Sequence, residues 1–335
     1  MKRLGAVGYA RRPLWTVSVI LALILILGAG CAPRPASEVS LRLKWILYAG
    51  WAGELVALDQ GLWAEEGVAV DIKPGGFELD PIKLVAAGSD QIGVAGADQI
   101  LLAREKGIPL VAFAVQYQEV PVGFVALKES GIERPTDFVG KRVGVKYGTD
   151  VEPIYRALMA SVGVSTDDLE EVPVKFDISP LYEGLVDVYP GYLTSDLLIP
   201  GEMGYEVNTI RASDYGVSVY GNVYFCTEAF LESHRDLIVR FVRGTAEGWN
   251  RALKMAPEEV AALAVAANDG LDIEHETDVA AALQPYVMPE GFSFGQMSEE
   301  GWRALYSMLR DRGIIETDFD WTSAYTLDVL AEAGL

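Results

Sequence analysis

Residues 41–76 read LRLKWILYAGWAGELVALDQGLWAEEGVAVDIKPGG. This stretch predicts a strand, a helix and a second strand in succession. Apolar residues alternate with basic ones over 41–46, which predicts a strand, and 53–62 has the composition of a helix. Residues 68–72 are rich in β-branched side chains and stop at Pro74-Gly75-Gly76, which predicts the next strand. This order indicates parallel strand pairing in an α/β fold.

The alternation of strands and helices continues on both sides of residue 127. Up to that point the sequence predicts helices near 81–87 and 98–106, and strands near 91–95, 109–115 and 122–127. A second series follows, with strands near 142–146, 171–174, 186–189 and 207–210 and helices near 151–162, from 179 and near 194–199. After a strand over 220–226, helices are predicted near 229–254, 257–267, 277–286, 298–312 and 323–333.

This layout predicts two lobes, each a mostly parallel sheet flanked by helices. Residues 39–122 together with 220–335 form lobe 1, and residues 127–215 form lobe 2 as an insertion. The chain crosses twice between the lobes, which permits a hinge, and a cleft between α/β lobes is a common ligand site. The ligand is expected beyond the carboxyl ends of the parallel strands.

The first 31 residues have the features of a bacterial export signal. Lys2, Arg3, Arg11 and Arg12 precede an uncharged apolar run over 14–27. A run of about 14 residues is too short for a stable spanning helix, which favours a cleaved signal peptide over a retained membrane anchor.

Small residues lead from this run into Cys31, and the segment resembles a bacterial lipoprotein signal. The resemblance implies a signal peptide over 1–30 and lipidation of Cys31, which becomes the first residue. Several acyl chains on one residue suffice for stable attachment to a membrane. Residues 31–38 are a Pro-rich linker. We therefore expect an extracytoplasmic protein that a lipid anchor tethers to the cell membrane.

The composition excludes several classes of partner. Without residues 1–30, the chain has 23 Lys and Arg against 48 Asp and Glu, a net charge of −25. This excess disfavours nucleic acid and direct adsorption to anionic lipid, both of which need cations. Besides Cys31 the chain has Cys226 alone, in an apolar stretch that predicts a buried strand. His234 and His275 are predicted on solvated helix surfaces, and no metal site is predicted.

The loop after the first strand has the densest set of candidate ligand contacts. It contains Trp45, Tyr48, Trp51 and Glu54. Aromatic rings offer flat faces for stacking, and a carboxylate accepts hydrogen bonds from ring N–H or amino groups. Core packing accounts for Trp45 equally well, whereas glycines beside the other three favour contact with a ligand.

Two further loops contribute polar candidates. Asp98 follows a strand and is either the N-cap of the next helix or a ligand contact, and Gln116 ends another strand. In lobe 2, Tyr147, Thr149 and Asp150 lead into a helix, whose first amides can bind an anion or a polar ligand edge. Capping of that helix is the alternative role for Thr149 and Asp150.

The last candidate loop contains Tyr189 and Tyr192, of which one is expected to line the cleft and the other to pack. No candidate loop before residue 200 contains an arginine. The loops therefore offer no guanidinium that could bind a carboxylate, sulfonate or phosphate in bidentate fashion. No nucleophile elbow, Walker A or dinucleotide motif occurs in its proper context. We therefore predict no catalytic residues and no cofactor.

Several stretches are similar to the SsuA/THI5-like (NMT1-like) periplasmic substrate-binding proteins of ABC transporters. The resemblance lies in Leu43-Lys44-Trp45, in 59–63 and 65–70, and again in 127–132 and 137–145. It implies the type II periplasmic-binding-protein-like fold and delivery of a small solute to a permease and its ATPase. Family members bind thiamine pyrimidine precursors, riboflavin, sulfonates or nitrate.

Departures from the family pattern leave the ligand open. Lys44 stands where pyrimidine-precursor binders usually have Asp, and riboflavin-binding relatives share the Lys-Trp opening and the step at Ala52-Gly53. Some relatives are pyrimidine-synthesising enzymes with a cysteine-rich motif and a histidine that this chain lacks. A role as ligand-sensing partner of a membrane receptor is a third alternative.

The leading interpretation is a monomeric binding protein that closes two lobes on a flat, nitrogen-rich heteroaromatic. Tyr48, Trp51 and Tyr189 are expected to stack on the ligand. Glu54, Asp98 and Asp150 are expected to accept its hydrogen bonds, because all three lie after predicted strands.

Overall fold

The computed structural model describes residues 37–76, 78–217 and 219–335. The predicted signal peptide over 1–30 and the lipidation of Cys31 lie outside these ranges, as does most of the linker. No helix in the described ranges combines the length and the apolar composition that crossing a membrane requires.

Ten strands are present in the described ranges. They are β1 (Ser37–Arg42), β2 (Val68–Lys73), β3 (Ile92–Gly96), β4 (Leu110–Val115), β5 (Val122–Leu127), β6 (Arg142–Val145), β7 (Glu170–Pro173), β8 (Tyr189–Tyr192), β9 (Val207–Arg211) and β10 (Asn222–Thr227).

The first sheet has five strands in the order β2-β1-β3-β10-β4. The β1–β2 and β1–β3 pairs are parallel, as the alternation of strands and helices predicts. β10 returns from late in the chain and lies antiparallel between β3 and β4. Because helices cover this sheet, the side chains of β3 and β4 are all buried.

The strands between residues 122 and 211 form two smaller sheets. β8 and β9 flank β5, and both pairs are antiparallel. β6 and β7 form a parallel pair, and Val143 of β6 bridges to Val188 just before β8. The α/β fold class is confirmed, but strand directions here are more mixed than the sequence predicts. The alternation of helices and strands in the sequence does not determine whether a strand pairs parallel or antiparallel with its neighbours.

The described ranges contain thirteen α-helices. They are α1 (Ala52–Asp59), α2 (Leu62–Glu65), α3 (Pro81–Ala86), α4 (Ala97–Glu105), α5 (Val151–Ser161), α6 (Ser179–Tyr182), α7 (Ile199–Glu202), α8 (Glu228–Ala252), α9 (Pro257–Ala267), α10 (Ile273–Ala282), α11 (Gln284–Val287), α12 (Glu299–Asp311) and α13 (Asp328–Ala333). Short 3₁₀ helices span Ala49–Trp51, Lys128–Ser130, Pro135–Phe138, Thr166–Asp168, Ser213–Tyr215 and Trp321–Ala324.

Several predicted element positions are wrong in detail, among them β1, the helix near 194–199 and the strand near 186–189, which lies at Tyr189–Tyr192 as β8. β1 begins at Ser37, inside the predicted linker, and ends at Arg42 rather than at residue 46. The ladder stops there because Pro74 and Gly75 end the neighbouring strand, although Gly75 N still donates to the Trp45 carbonyl oxygen at 2.8 Å. Residues 194–198 form turns instead of a helix, and α7 begins only at Ile199. The division into two lobes at the predicted boundaries remains a prediction.

The buried face of α8 packs against α1, the first α-helix in the described ranges. A Cβ atom on Gly248 would lie 2.2 Å from the Gly53 carbonyl oxygen and 2.9 Å from the Ala57 Cβ atom. A Cβ atom on Gly53 would in turn lie 2.2 Å from the Trp249 ring. The two helices therefore approach each other through backbone atoms, and this contact places the loop before α1.

Replacing Gly248 with alanine is expected to destabilise the protein by about 2 kcal/mol, because overpacking against backbone forces the helices apart. The loss should appear although alanine favours the helix by about 1 kcal/mol. Denaturant unfolding measures the change. Gly201→Ala is the control, since Gly201 lies exposed in α7 with open space around its Cβ position. Equal stability of the two variants would contradict the proposed close approach.

Candidate functional site

A cavity of about 540 Å³ lies where residues 44–99, 222 and 271–276 face residues 146–199. We call the former set the first wall and the latter the second wall. The first wall contributes Lys44, Trp45, Ile46, Tyr48, Trp51, Gly76, Asp80, Pro81, Lys83, Gln99, Asn222, Leu271, His275 and Glu276. The second wall contributes Lys146, Gly148, Thr149, Asp150, Val151, Phe176, Tyr192, Ser195, Asp196 and Ile199.

Six of the residues predicted from the sequence line this cavity. They are Trp45, Tyr48, Trp51, Thr149, Asp150 and Tyr192. The structure therefore brings together the loop after β1, the loop after β6 and the end of β8. The rule that placed the site beyond the strand ends accounts for this convergence.

Aromatic rings stand on both walls. Trp45 of the first wall contacts Phe176 of the second, with ring centroids 4.5 Å apart. Tyr48 meets Trp51 edge to face at 6.3 Å, and the Trp51 indole N–H donates to the Ile46 carbonyl oxygen at 3.0 Å. The Tyr48 ring folds over Gly50, where a Cβ atom would lie 2.3 Å from it. A glycine at 50 thus allows the ring its position.

Lys44 connects the two walls. Its ammonium donates to Asp150 Oδ2 at 2.8 Å and to the Tyr192 hydroxyl oxygen at 2.7 Å, and it lies 4.9 Å from the centre of the Tyr192 ring. The Tyr192 hydroxyl also donates to Asp150. Burial alone would raise the pKa of the Asp150 carboxyl, but the charge of Lys44 and these hydrogen bonds outweigh it and lower the pKa. Asp150 is thus a carboxylate, although its side chain is only 14% exposed.

A second lysine is paired inside the second wall. The Lys146 ammonium, 1% exposed, donates to Asp196 and lies 4.7 Å from the Phe176 ring centre and 5.0 Å from that of Tyr189. Asp196 Oδ1 accepts from the Tyr192 backbone N–H at 2.7 Å. Lys83, also in the lining, pairs with Asp80 at 3.3 Å. Each lysine in the described lining therefore already has an aspartate partner.

Asp98 and Glu54 lie away from the cavity lining, as buried carboxyl groups. Burial raises the pKa of Asp98 to about 7, and the negative charge of Asp150 adds to the effect. Asp98 is not the N-cap of α4, since Gly96 holds that position. Burial also raises the pKa of Glu54 to about 7, although the Tyr224 hydroxyl donates to its Oε1 atom and lowers the pKa in part.

The remaining three predicted residues also lie away from the described lining. Tyr147 points to solvent, 46% exposed, and its hydroxyl donates to Glu171 at 2.7 Å. Tyr189 is buried and donates to the Lys175 carbonyl oxygen at 2.7 Å, so Tyr192 is the tyrosine of this pair that reaches the cavity. Gln116 is buried behind the first wall and contacts Asn222.

The two candidate capping residues divide their roles. Asp150 holds the N-cap position of α5, but its carboxylate makes no capping bond and instead faces Lys44 and Tyr192. The Thr149 hydroxyl donates to the Lys146 carbonyl oxygen at 2.7 Å and accepts from the Val151 N–H at 3.2 Å. Thr149 therefore stabilises the turn into the helix.

His275, predicted on a solvated helix surface, is only partly exposed in the structure. It lines the cavity, and its Nδ1 atom lies 2.8 Å from Glu202 Oε1 at the end of α7. Its neighbour Glu276 is 2% exposed and accepts from the Ala49 N–H at 2.6 Å, and burial raises the pKa of this carboxyl. No local motif marks either residue. Both lie far in sequence from the other lining residues, and only the folding of the chain brings α10 to the cavity.

Cys226 follows the prediction of a buried strand residue. It lies in β10 without solvent exposure, and burial raises the pKa of its thiol to about 12. Among the described residues, no cluster of His, Cys, Asp and Glu side chains is arranged to hold a metal ion.

A family model described as NMT1/THI5 like matches residues 49–260, well over half of the chain. The chain belongs to the NMT1/THI5-like family. This confirms the resemblance drawn from the residues after β1 and around β6. The matched region contains the first loop from Ala49 onward and the whole second wall.

The chain is similar to three proteins of known name. The formylaminopyrimidine-binding protein of Halalkalibacterium halodurans is 25% identical over 307 residues, covering 88% of this chain and 92% of that protein. The riboflavin-binding protein RibY of Chloroflexus aurantiacus is 26% identical and covers 88% of each chain. A 4-amino-5-hydroxymethyl-2-methylpyrimidine phosphate synthase of Legionella pneumophila is 25% identical, covering 63% of this chain and 68% of the enzyme.

A solved structure supports the fold. The periplasmic aliphatic sulphonate binding protein SsuA of Escherichia coli superposes with a TM-score of 0.71, covering 86% of this chain and 97% of that chain. At 14% identity, the similarity shows that the two proteins share the periplasmic binding protein fold.

Glu54 gives the protein a pH dependence of stability that can be measured. Its pKa is about 7 in the folded state against 4.5 for the free group, so the folded state binds the extra proton between these values. The free energy of unfolding is therefore expected to fall as pH rises from 5 to 8, by up to about 3 kcal/mol for this group.

Glu54→Gln removes the titration and is expected to make that fall smaller. Asp98 keeps part of it, because its pKa is raised in the same direction. Denaturant unfolding at several pH values measures the slope. The matched control is Asp59→Asn, at the exposed end of the same helix. A Gln variant with the slope of the wild type would show that Glu54 does not titrate in this range.

Proposed function

We propose that this protein is the extracytoplasmic ligand-binding component of an ABC importer. Its ligand is a small, flat, nitrogen-rich heteroaromatic of the thiamine pyrimidine-precursor type. The observation that carries the proposal is a cavity with aromatic rings on both walls, in which each described lysine is neutralised by an aspartate. A neutral ring system suits such a lining better than an anion does.

The paired lysines argue against sulfonate or nitrate as ligands. An anion bound here would have to compete with Asp150 for Lys44 or with Asp196 for Lys146. The described lining contains no arginine that could hold an oxyanion in bidentate fashion. The fold shared with SsuA therefore does not carry the sulfonate specificity over to this chain.

A ligand that stacks between Trp45 and Phe176 requires these two rings to move apart. The rings come from opposite walls and are already in contact. A planar ligand enters when the two walls are apart. Once it is stacked between the rings, it contacts both walls. Contacts with both walls favour the closed arrangement, as expected for a binding protein whose ligand shifts the populations of open and closed forms.

Riboflavin is the alternative ligand. The similarity to RibY covers as much of this chain as the similarity to the formylaminopyrimidine-binding protein does. The Lys44-Trp45 opening is shared with riboflavin-binding relatives. A flavin ring is also flat and rich in nitrogen, so the same aromatic walls would serve it.

We propose binding without turnover, although a pyrimidine phosphate synthase is among the relatives. Cys226 is buried in β10 and unavailable as a nucleophile. His275 is engaged by Glu202. Turnover of a bound pyrimidine or of a supplied cofactor would contradict this part of the proposal.

The assignment to a transporter implies a permease and an ATPase as partners. We further propose that Cys31 carries the lipid anchor, that residues 31–38 form the tether and that the protein acts as a monomer. Genes for a permease and an ATPase beside this gene are expected. A receptor gene in their place would favour a sensing role.

Calorimetric titration of the purified protein is expected to show binding of an aminopyrimidine thiamine precursor or of riboflavin, and no binding of taurine. The reason is the lack of an unpaired cation in the described lining. Tight binding of taurine, with no response to either heteroaromatic, would overturn the ligand class.

Trp45→Ala is expected to weaken binding of that heteroaromatic by about tenfold or more, because stacking on one aromatic side chain contributes about 1–3 kcal/mol. The same titration measures the dissociation constant. Phe292→Ala is the control, since Phe292 is 48% exposed and lies outside the described lining. Equal affinities of the two variants would remove Trp45 from the site.

A further inference from the structure

Asn222 is a buried cavity residue with an unsatisfied acceptor. It opens β10, lines the cavity and is 4% exposed. Its Oδ1 atom has no hydrogen-bond partner among the described residues. Leaving a buried acceptor without a partner is costly, so such an atom in a ligand cavity indicates a group that the ligand satisfies.

The orientation of the Asn222 amide is fixed by a relay that begins at the backbone. The Gly50 carbonyl oxygen can only accept, so Gln116 must turn its Nε2 atom toward it, and the two atoms are 2.8 Å apart. Gln116 then presents Oε1 to Asn222. Asn222 must in turn donate with Nδ2, at 2.9 Å, which leaves Oδ1 as its free atom.

Packing holds this relay in place. Gln116 is fully buried, and its backbone N–H donates to the Asn222 carbonyl oxygen at 2.7 Å. Asn222 also pairs with Gly96 in the ladder between β3 and β10. If the Asn222 amide rotated, its Oδ1 atom would face the Oε1 atom of Gln116, and two acceptors cannot form a hydrogen bond. Gln116 cannot rotate to relieve this, because its Nε2 atom is held by the Gly50 carbonyl oxygen.

We propose that Asn222 is a specificity-determining acceptor, so the site selects ligands that present an N–H or O–H donor to its Oδ1 atom. Gln116 acts as its positioning residue. This inference rests on the proposed function and narrows it. An exocyclic amino group of a pyrimidine or the ring N–H of a flavin satisfies the requirement. Sulfonate and nitrate oxygens can only accept and leave Oδ1 unpaired.

The wild-type protein tests the proposal first, with two pairs of probes. One pair is 4-amino-5-aminomethyl-2-methylpyrimidine and the analogue with a methyl group in place of the ring amino group. The other is riboflavin and its N3-methyl derivative. Within the pair that binds, the donor-bearing compound is expected to bind about tenfold or more tightly, because its partner leaves Oδ1 unsatisfied. Equal affinities within that pair would overturn the proposal.

Two variants separate the acceptor from the relay. Asn222→Ala is expected to reduce the preference within the pair to about threefold or less. Gln116→Met lets the Asn222 amide rotate and is expected to relax the preference as well, although Gln116 lies outside the described lining. Gln118→Met is the matched control, because the Gln118 amide bonds the Gln296 carbonyl oxygen and not Asn222.

The outcomes distinguish this inference from the proposed function. A wild-type protein that binds neither heteroaromatic removes the proposed function, and this inference with it, before any variant is made. Binding with an unchanged preference in folded Asn222→Ala or Gln116→Met protein removes the relay alone. Circular dichroism and thermal unfolding establish folding of each variant. If Asn222→Ala does not fold, Gln116→Met and the wild-type probe pairs decide.

Discussion

The ion pair between Lys44 and Asp150 is the interaction on which the arrangement of the site depends. Its partners are 106 residues apart in the chain and stand on opposite walls of the cavity. Removing two charges from water is costly, and the pair offsets that cost only with good geometry and further hydrogen bonds. Tyr192 supplies them by bonding both partners. The same carboxylate influences Asp98, whose proton it helps to retain.

The sequence predicted the elements better than the contacts between them. α9 was predicted at its observed bounds because Pro257 at the first helical position is a clear start signal. The loop after β1 was recognised from its aromatic residues. The pairing of Lys44 with Asp150 could not be predicted, because it depends on how two distant strand ends meet. His275 and Glu276 were missed for the same reason, since their helix has no sign of a ligand site in its own sequence.

Glu54 and Tyr189 show the opposite kind of error. Both are predicted as ligand contacts because they follow or end predicted strands, yet both are buried behind the cavity, and Tyr189 in fact begins β8. Glu54 belongs to the first turn of α1, and its side chain turns inward to Tyr224. Residue type and position in the sequence do not reveal which way a side chain turns. The polar atoms behind the wall still matter, because the relay from Gly50 through Gln116 reaches Asn222.

The place of β10 in the first sheet has a consequence for the order of folding during synthesis. β4 is wholly buried, and within this sheet it pairs with β10 alone. A ribosome must therefore complete residue 222 and those after it before β4 can enter its sheet. Until then the nascent chain presents an apolar strand without its neighbour, a state that favours chaperone binding and late folding. Folding of the first sheet therefore waits for the chain from residue 222 onward, so β1 to β4 cannot complete that sheet on their own.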